Sequence, residues 1–417
     1  MLCFSKGNHI FEKYNDKYFV ILNAKYNSLF MFEKDVSVVW SYIGENTTFE
    51  NLLEGLKKDG YCIDESELHS LIENLARCGA IECEQIAIDD KFISENNQID
   101  YYIDSCANRS IPTVIHIEIT NICNLKCMHC FHDEKGSTIP VENLVTMFEE
   151  LRNSSFVRAV ITGGEPLLHS NWRDIVAAAR RNGFIVYLFS NIFMLNDNDI
   201  EFIKKENISL VRTSLYSCLP ATHDTITQVK GSFDATYKNI LKLKNKKVPI
   251  SVSCSIINEN FGDIIAFDNL MKEVGIKILY SWRIIRSIKG TKDINKIMID
   301  NNKFKILYER GLVQTPKKIK CRPGSYRIAI GSDGSIYGCD TLRVPIGNIK
   351  TTGVLSSIEG ESLKKLRDIV SRYNPEDCKT CVFQEKCTRC PGLVWTELEQ
   401  PNIHDKLQCA YMQIACV

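Results

Sequence analysis

Three closely spaced cysteines are the residues of this sequence whose spacing most clearly indicates chemistry. They lie in the segment Cys123-Asn-Leu-Lys-Cys127-Met-His-Cys130. Three thiolates on one short loop hold three corners of a [4Fe–4S] cube and leave one iron open, whereas a structural zinc site closes with four ligands. The segment therefore predicts an iron–sulfur cluster with an open iron. The alternative is a zinc knuckle that uses His129 or His132.

Cysteine is frequent in the rest of the chain, and part of it is clustered. Seven further cysteines group toward the C-terminus: Cys321, Cys339, Cys378, Cys381, Cys387, Cys390 and Cys409. Seven others are scattered and are interpreted as ordinary small apolar residues: Cys3, Cys62, Cys78, Cys83, Cys106, Cys218 and Cys254. The N-terminus lacks a basic cap followed by an apolar core, so we expect a cytoplasmic protein, in which disulfides are disfavoured. The clustered cysteines therefore predict metal binding, while Cys416 stays unassigned.

The overall composition excludes some classes of partner. Lys plus Arg and Asp plus Glu number 51 each, so bulk charge gives no reason to expect a nucleic-acid partner. No apolar run approaches the ~18 residues that span a bilayer, so we expect no membrane partner. The 417 residues exceed the roughly 250 at which a single core stops growing. The chain is therefore predicted to contain two or three domains.

Strand-like and helix-like segments alternate from Ile111 to about Ile299. Six strands are predicted in this stretch, at Val114–Ile119, Val157–Thr162, Phe184–Ser190, Leu210–Leu215, Ile250–Ile257 and Ile278–Ile284. Helical segments are predicted between them at Val141–Arg152, Trp172–Asn182 and Phe233–Lys246. Such alternation predicts an α/β fold, here a partial (β/α)6 barrel of the TIM type. The residues beyond about Thr315 lack regular apolar periodicity, so we expect metal to help hold them.

Polar residues recur where the predicted strands end. They are the candidate binding residues of the barrel: Gly163, Gly164, Glu165, Pro166, Ser190, Asn191, Ser214, Asn258 and Arg283. Parallel barrels build their sites at the carboxyl ends of their strands, where all of these residues are predicted to lie. We therefore expect them to share one site with the three-cysteine loop.

In this order, the cysteine loop and these segments resemble the radical S-adenosylmethionine superfamily over residues 111 to 300. The resemblance implies that Gly163–Pro166 receives the methionyl amino group of S-adenosylmethionine, and glycine suits a backbone that approaches a ligand closely. It also implies that Ser190 and Asn191 lie near the ribose and that Ser214 faces the cofactor. The cofactor would be cleaved to a 5′-deoxyadenosyl radical that abstracts hydrogen from a substrate.

The sequence departs from this family at one place. After the segment His223-Asp224, the family often carries Arg-Gly, whereas this chain has Thr227-Gln228. The resemblance therefore does not supply a cofactor contact at that position.

The C-terminal cysteines resemble the SPASM domain, which carries two auxiliary [4Fe–4S] clusters in enzymes that act on peptides and proteins. The resemblance implies four ligands for one cluster: Cys378, Cys381, Cys387 and Cys409. It implies three ligands for the other: Cys321, Cys339 and Cys390. A fourth ligand would come from Cys416 or from outside the motif. Two residues separate the last central pair where the family commonly has three, and the alternative is two zinc sites of four cysteines each.

The first 85 residues are predicted to form a small separate module. Strands are expected at Tyr18–Asn23 and Leu29–Phe32, followed by three short helices. Thr47 and Asp64 each precede a Glu by three residues, a pattern typical of helix N-caps, and Gly79 is expected to end the last helix. The order predicts a winged-helix-like unit. Its last helix is acidic and would repel the phosphates of DNA.

This module resembles the PqqD-like domains that bind leader peptides in the biosynthesis of ribosomally made, post-translationally modified peptides. The resemblance lies in the strand pair, the helix near Lys34–Ile43 and the final helix that leads into a strand at Leu68–Ile81. It implies that an exposed strand edge accepts the leader of a precursor peptide as an added strand. Residues 86–110 are polar and weakly periodic, and are predicted to be a linker.

These features together predict a peptide maturase with a leader-binding module at 1–85, a radical barrel at 111–300 and a SPASM domain at 310–417. The expected product is a crosslinked precursor peptide. A cysteine thioether of the sactipeptide or ranthipeptide type is the first choice, because an auxiliary cluster with an open iron could bind the precursor thiolate. The expected reductant is a protein such as flavodoxin or ferredoxin.

Other functions stay open at this stage. A carbon–carbon crosslink is the second choice of product. A sulfatase-maturing enzyme, which forms formylglycine, would share the two C-terminal domains but would not need residues 1–85. Outside the enzymes, the alternative is a non-catalytic zinc or iron–sulfur scaffold with a winged-helix module.

Overall fold

The computed structural model describes residues 2–13, 15–133, 136–313, 323–371, 376–384, 387, 390–398 and 406–416. Within these residues, no helix is long and apolar enough to cross a membrane. The described elements form two small sheets near the N-terminus and one large sheet that runs through the rest of the chain.

The N-terminal module contains six strands and three helices. They are β1 (Cys3–Lys6), β2 (Ile10–Lys13), β3 (Phe19–Asn23), β4 (Ser28–Phe32), α1 (Val36–Ser41), β5 (Thr47–Thr48), α2 (Phe49–Lys58), α3 (Glu65–Arg77) and β6 (Ile81–Cys83). The strands form two antiparallel sheets with the orders β5-β1-β6 and β2-β3-β4. The two predicted strands and three helices are therefore present, with four further strands that the sequence did not reveal.

The helix caps of this module follow the expected chemistry with one shift. The Asp64 carboxylate accepts hydrogen bonds from the N–H groups of Ser66 and Glu67, as a capping residue does. The cap of α2 is Thr48, whose hydroxyl accepts from Asn51 N–H at 3.2 Å. The predicted cap, Thr47, is instead part of the short strand β5, so the assignment was one residue too early.

The segment 86–110 is not the predicted linker. It contains α4 (Asp90–Asn96) and α5 (Ile99–Asn108). Tyr102 and Cys106 of α5 are buried in a cluster with Val20 and Leu22 of the module and Val114 of the barrel. Apolar residues at i, i+3, i+4 and i+7 from Ile99 carry this packing, a helical pattern that the polar composition of the segment concealed.

The barrel consists of six parallel strands with helices between them. The strands are β7 (Val114–Thr120), β8 (Arg158–Gly163), β9 (Ile185–Phe189), β10 (Leu210–Ser214), β11 (Ile250–Ser255) and β12 (Ile278–Ser281). The helices are α6 (Val141–Glu150), α7 (Trp172–Arg181), α8 (Asp197–Lys205), α9 (Pro220–Thr227), α10 (Ser232–Asn245) and α11 (Ile264–Glu273). The strands are neighbours in chain order, so the predicted partial (β/α)6 barrel is confirmed.

The C-terminal part continues the same sheet. Its elements are α12 (Asn301–Glu309), β13 (Arg327–Ile330), β14 (Ser335–Tyr337), β15 (Pro345–Asn348), α13 (Val354–Glu359), α14 (Glu361–Ser371), α15 (Glu376–Lys379), α16 (Pro391–Leu398) and α17 (Lys406–Cys416). Strand β13 pairs in parallel with β7, and β14 and β15 extend that edge. Helix α14 buries Leu363, Leu366 and Val370, so the expectation that apolar periodicity is absent here was wrong for that helix.

The N-terminal module is joined to the barrel by buried apolar contacts. Phe11, from β2, belongs to the same buried cluster as Val114 and Val160 of the barrel strands. Its ring also lies so close to Gly183 that a side chain at that position, where φ is +75°, would collide with it. The first 85 residues have a buried core of their own, which includes Phe4, Trp40 and Ile72, and they are also packed against the barrel.

Candidate functional site

The three-cysteine loop faces a cavity at the carboxyl ends of the barrel strands. The cavity has a volume of about 270 Å³. Its lining includes most of the predicted site residues: Cys123, Cys127, Cys130, Gly163, Gly164, Ser190, Asn191 and Ser214. The barrel therefore brings together three thiols, two glycines and several hydroxyl and amide groups at one place.

Backbone hydrogen bonds from helix α9 hold the cysteine loop. Lys126 N–H donates to Thr227 O, and Met128 N–H donates to Ile226 O, both at 3.0 Å. The Thr227-Gln228 pair, where the sequence departs from the family, thus supports the loop through main-chain oxygen. The backbone conformation of the cysteine loop is thus stabilised by hydrogen bonds to α9.

The Gly163-Gly164 pair supports the beginning of the same loop. Gly164 N–H donates to Thr120 O and Glu165 N–H donates to Ile122 O, each at 2.8 Å. A side chain on Gly163 would collide with Thr120 O, and one on Gly164 would approach Ile122 O to 2.5 Å. The glycines are required because two backbone segments approach each other, which adds a reason that the expected approach to the cofactor did not include.

Glu165 joins this loop to the turn after the third barrel strand. Its fully buried carboxylate accepts hydrogen bonds from Ser190 Oγ at 2.6 Å, Asn191 N–H at 2.7 Å and Leu167 N–H at 3.0 Å. Burial raises the pKa of Glu165 to about 7, against the lowering effect of these hydrogen bonds. The predicted segments at Gly163–Pro166 and Ser190–Asn191 are thus coupled through one carboxylate.

The second wall of the cavity is aromatic. The rings of Tyr216 and His129 meet edge to face with their centroids 4.7 Å apart. The Tyr216 side chain lines the cavity together with Cys127 and Ser214. Burial, together with the neighbouring thiols of Cys130 and Cys123, raises the pKa of Cys127 to about 12. Iron binding would therefore release a proton from this buried thiol.

The residues present fit an iron–sulfur cluster with an adjacent cofactor. Among the described residues, no three Cys, His, Asp or Glu side chains converge closely enough to hold one metal ion. His132 lies 3.4 Å from a Glu118 oxygen, whereas His129 lines the same cavity as the three cysteines and packs on Tyr216. Thiols, hydroxyl and amide groups and the Arg212 guanidinium around one cavity suit a thiolate-held cluster and a nucleoside ligand.

Two predicted site residues lie away from this cavity. The Asn258 side chain donates to Met298 O at 2.8 Å and accepts from Lys303 Nζ at 2.7 Å, so it fastens the segment before α12. Arg283 lines a different cavity of about 810 Å³ beside β12. Both residues lie beyond the ends of β11 and β12, at Ser255 and Ser281, and their assignment to cofactor binding stays a prediction.

The C-terminal cysteines that the structure describes lie in loops and in helices. Cys381 N–H donates to Cys378 O, and Cys387 N–H donates to Phe383 O. Cys390 is close enough to Cys339 for the two thiols to influence each other, and burial is the main cause that raises the pKa of Cys390. Cys409 lies on α17. Cys321 and the side chain of Cys416 lie outside the described residues, so the ligand sets stay predictions.

A second cavity of about 540 Å³ lies inside the barrel and shares Thr162, Phe189 and Arg212 with the first. Its lining includes His116 and Glu118, which alternate with buried isoleucines along β7. Sequence reasoning missed these two residues because it considered only the strand ends. The signal was present as two ionisable residues in an otherwise apolar strand.

Comparison with known families identifies two regions of the chain. Residues 117–271 match the radical SAM superfamily, and residues 321–382 match the iron–sulfur cluster-binding SPASM domain. These matches confirm the predicted domain types and, with them, S-adenosylmethionine and iron–sulfur clusters as cofactors.

Individual relatives are distant in sequence. The chain is 24% identical over 343 residues to the subtilosin biosynthesis protein AlbA of Bacillus subtilis, covering 76% of this chain and 75% of AlbA. It is 23% identical to an AdoMet-dependent heme synthase of Methanosarcina barkeri, covering 68% of this chain and 92% of that protein. Streptococcus suis SuiB, solved bound to its precursor peptide SuiA, has a similar fold over 98% of this chain and 100% of its own, with a TM-score of 0.63 and 14% identity.

Proposed function

We propose that this chain, a radical S-adenosylmethionine enzyme with a SPASM domain and a relative of peptide maturases, installs a crosslink in a ribosomally made precursor peptide. The observation that chiefly supports a peptide substrate is the fold similarity to SuiB, which extends over nearly the whole chain, N-terminal module included. The relationship to the subtilosin biosynthesis protein agrees with it.

The described residues suit the tasks that such a reaction leaves to the protein. When bound, the cluster and S-adenosylmethionine supply a 5′-deoxyadenosyl radical that abstracts hydrogen. Cys123, Cys127 and Cys130 would hold the cluster, and the loops joined by Glu165 would orient the cofactor. The adjoining cavity inside the barrel would hold the substrate near the cofactor and away from water.

A cysteine thioether is the proposed bond. By their resemblance to the SPASM pattern, Cys321, Cys339 and Cys390 provide three ligands for an auxiliary cluster, which leaves one position for a precursor thiolate unless Cys416 takes it. Binding to a metal lowers the pKa of a thiol and fixes the position of its sulfur. A carbon–carbon crosslink is the second choice, because it would need no such position.

We further propose that the leader docks on strand β2. The outer edge of β4 is already occupied, since Gln98 N–H donates to Leu29 O at 2.8 Å and Leu29 N–H donates to Asn97 Oδ1 at 3.0 Å. Among the described residues, no strand pairs with the outer edge of β2. Beside β2 runs a groove of about 430 Å³. An added strand would find both backbone partners and a cleft there.

The groove beside β2 favours an acidic leader. Its exposed charges are those of Lys6 and Arg152, with Glu12 as the opposing charge. Lys13 contributes less, because its amine donates to Arg152 O and burial lowers its pKa to about 7. The Glu12 carboxylate accepts a hydrogen bond from Trp40 Nε1 at 2.8 Å, which partly satisfies it. An extended leader segment with Asp or Glu side chains would complement the remaining positive charge.

The experiment that tests the function uses anaerobically reconstituted enzyme, S-adenosylmethionine, a low-potential reductant and the precursor peptide encoded beside the gene. We expect a peptide that has lost two hydrogen atoms and whose cysteine resists alkylation. A peptide with the same mass loss and an alkylatable cysteine would instead establish a carbon–carbon crosslink. An unmodified precursor under conditions that produce 5′-deoxyadenosine would contradict the proposal.

The Cys127→Ala enzyme serves as the matched control. Its precursor should remain unmodified, because the cluster loses one of three thiolate ligands. To test the thioether, the auxiliary-cluster spectrum of Cys416→Ala enzyme is recorded with and without precursor. A signal that ignores the mutation and changes on adding precursor supports an open position, whereas loss of the cluster in the mutant favours the carbon–carbon product.

A further inference from the structure

The cavity inside the barrel contains more positive than negative charge. Its lining includes four guanidinium groups and two carboxylates, which are Arg158, Arg212, Arg327, Arg343, Glu118 and Asp340. Buried charges are costly unless they are paired. An arginine that no carboxylate of the protein neutralises would therefore be available to bind an anionic ligand.

Two of the four arginines are paired within the cavity. Arg343 binds both carboxylate oxygens of Glu118 in a forked arrangement. Arg327 lies 2.8 Å from Asp340, which also has His116 at 3.3 Å. Burial lowers the pKa of His116 to about 4, so the imidazole is neutral at physiological pH. The two carboxylates are thus balanced by these two arginines.

The other two arginines have no comparable partner. Among the described residues no carboxylate pairs with Arg212, whose Nε donates to Ser251 Oγ at 3.3 Å. The nearest carboxylate to Arg158 is Asp100, 3.7 Å away and 90% exposed to solvent, whereas the Arg158 side chain is 13% exposed. The Arg158 Nε is buried without a hydrogen-bond partner.

Aromatic rings of β9 carry these two guanidinium groups. Arg158 lies over Tyr187 and Arg212 lies over Phe189, each with 4.6 Å from the guanidinium carbon to the ring centre. The two arginines belong to β8 and β10, the strands that flank β9 on either side. Stacking restrains the side chains while leaving N–H groups available to a ligand in the cavity.

We propose that this cavity binds a carboxylate of the peptide substrate through Arg212, with Arg158 as a second cation. The proposal rests on the proposed function only in taking the substrate to be a peptide. The carboxylate belongs either to an Asp or Glu side chain near the modified residue or to the C-terminus of the peptide. Guanidinium groups bind carboxylates through paired N–H donors, which fixes both position and orientation.

This arrangement would place the modified carbon relative to the cofactor cavity. Arg212 lines both cavities, so a carboxylate held by it lies at their boundary. A substrate anchored at that boundary presents neighbouring atoms to the cofactor side. Arg212 would be a positioning residue that acts through the substrate.

The test measures binding of small peptides to the reconstituted holoenzyme by saturation-transfer NMR, without turnover. Three probes separate the two sources of carboxylate: N-acetyl-Gly-Asp-Gly-amide, N-acetyl-Gly-Asn-Gly with a free C-terminal carboxylate, and N-acetyl-Gly-Asn-Gly-amide. We expect at least one of the two carboxylate peptides to bind about tenfold more tightly than the amide control, because a buried pair of charges is involved. The carboxylate peptide that binds more tightly shows whether the site prefers a side-chain carboxylate or the C-terminal carboxylate.

Substitutions then locate the binding to Arg212. Arg212→Gln should abolish the preference for a carboxylate, Arg212→Lys should retain part of it, and Arg158→Gln should weaken it less. Arg173→Gln is the control, because Arg173 pairs with Asp199 outside the barrel. Equal binding of all three probes, or a carboxylate preference that survives in Arg212→Gln, would overturn the proposal. Should Arg212→Gln fail to fold, the affinities of the three probes for the wild type and for Arg158→Gln still test the proposal. A carboxylate preference in the wild type that is weaker in Arg158→Gln would support it, and equal affinities in the wild type would overturn it.

Failure of this proposal and failure of the proposed function can be told apart. A precursor that is crosslinked by an enzyme without carboxylate preference would refute the carboxylate site alone. An enzyme that binds carboxylate peptides through Arg212 but never modifies the precursor would refute the function alone.

Discussion

The two cysteine-bearing regions of this chain differ in how their positions are fixed. The loop of Cys123 is held by backbone hydrogen bonds from α9 and from the Gly163-Gly164 turn. The C-terminal cysteines lie on elements such as the four-residue helix α15 and the turn after it, where Val382 is 87% exposed. The first site is therefore held by the fold. The exposed turn after α15 is expected to depend more on its clusters, although α16 and α17 bury Val394, Tyr411 and Met412.

This difference suggests different roles for the two cysteine-bearing regions. A preformed loop can bind a cluster and a cofactor without reorganising, which favours a fixed geometry for radical formation. A region ordered by its clusters can adapt its shape to the substrate and to electron transfer. The predictions below test this contrast, from the largest expected effect to the smallest.

Substituting Cys123, Cys127 or Cys130 by Ala should abolish the formation of 5′-deoxyadenosine, because a cluster with an open iron needs all three thiolates. The auxiliary clusters should remain, since their proposed ligands lie elsewhere. Chromatographic measurement of 5′-deoxyadenosine, with iron and sulfide analysis of each variant, checks both statements. Cofactor cleavage that continues undiminished in the triple variant would refute the assignment.

Removing iron with a chelator should loosen the C-terminal region far more than the barrel. We expect amide hydrogen exchange to speed up at least tenfold in the described part of 376–416, and by less than about twofold in β7 to β11. Hydrogen exchange followed by mass spectrometry measures both regions in one sample. Equal loss of protection in the two regions would show that the barrel site is not preformed.

Ionisation of Glu165 makes the free energy of unfolding depend on pH. Its pKa is raised to about 7 from 4.5, so the folded state favours the protonated carboxyl. This contribution to stability is present below the unfolded pKa and is lost as pH rises through about 7. It amounts to about 3 kcal/mol, since one pKa unit corresponds to about 1.4 kcal/mol.

Denaturant unfolding of the metal-free protein between pH 4 and 8 should reveal this loss of unfolding free energy. Glu165→Gln, which cannot ionise, should show a smaller fall over the same range and a lower stability at acidic pH because its amide cannot accept from all three donors. Parallel pH curves for wild type and variant would contradict the role assigned to Glu165.

The smallest effect concerns the groove beside β2. Lys6→Glu should weaken binding of the leader about two- to fivefold, because partly exposed charge pairs contribute little individually. Fluorescence anisotropy of a labelled leader peptide measures the affinity. Lys25→Glu, on the turn between β3 and β4, is the control and should leave it unchanged. A leader affinity that is unchanged by Lys6→Glu but altered by substitution of Asn97 would indicate that the leader docks on β4 instead.

Deleting residues 1–85 would not separate leader binding from the stability of the barrel. In the structure, Phe11, Val20 and Leu22 pack in one cluster with Val114 and Val160 of the barrel, so the deletion would expose apolar barrel surface. Point substitutions in the groove therefore separate leader binding from barrel stability better.

The sequence predicted the barrel well because its strands are short, β-branched apolar runs that alternate with amphipathic helices. All six were located with their beginnings within one residue of those observed. Their ends were located less accurately, and Asn258 and Arg283 lie beyond the observed ends of β11 and β12. Alternating inward residues such as Glu118 and Arg212 were missed because only the folded barrel brings strands that are distant in sequence around one cavity.

Spacing identified the cysteine loop, but it could not reveal what supports it. The carbonyl groups of Ile226 and Thr227 reach the loop from about a hundred residues away, and backbone contacts of this kind leave no mark on residue type. Glu165 was identified as a candidate, yet its role in joining two loops became apparent only from its three donors. Long-range hydrogen bonds are set by topology more than by local sequence.

The most direct test of the account follows hydrogen from the precursor to the cofactor. A precursor that carries deuterium on the carbon to be crosslinked is incubated anaerobically with reconstituted enzyme, reductant and S-adenosylmethionine. Mass spectrometry should find deuterium in 5′-deoxyadenosine, together with a precursor that has lost one deuterium and one hydrogen. Modified precursor accompanied by unlabelled 5′-deoxyadenosine would contradict hydrogen abstraction from that carbon by the cofactor radical.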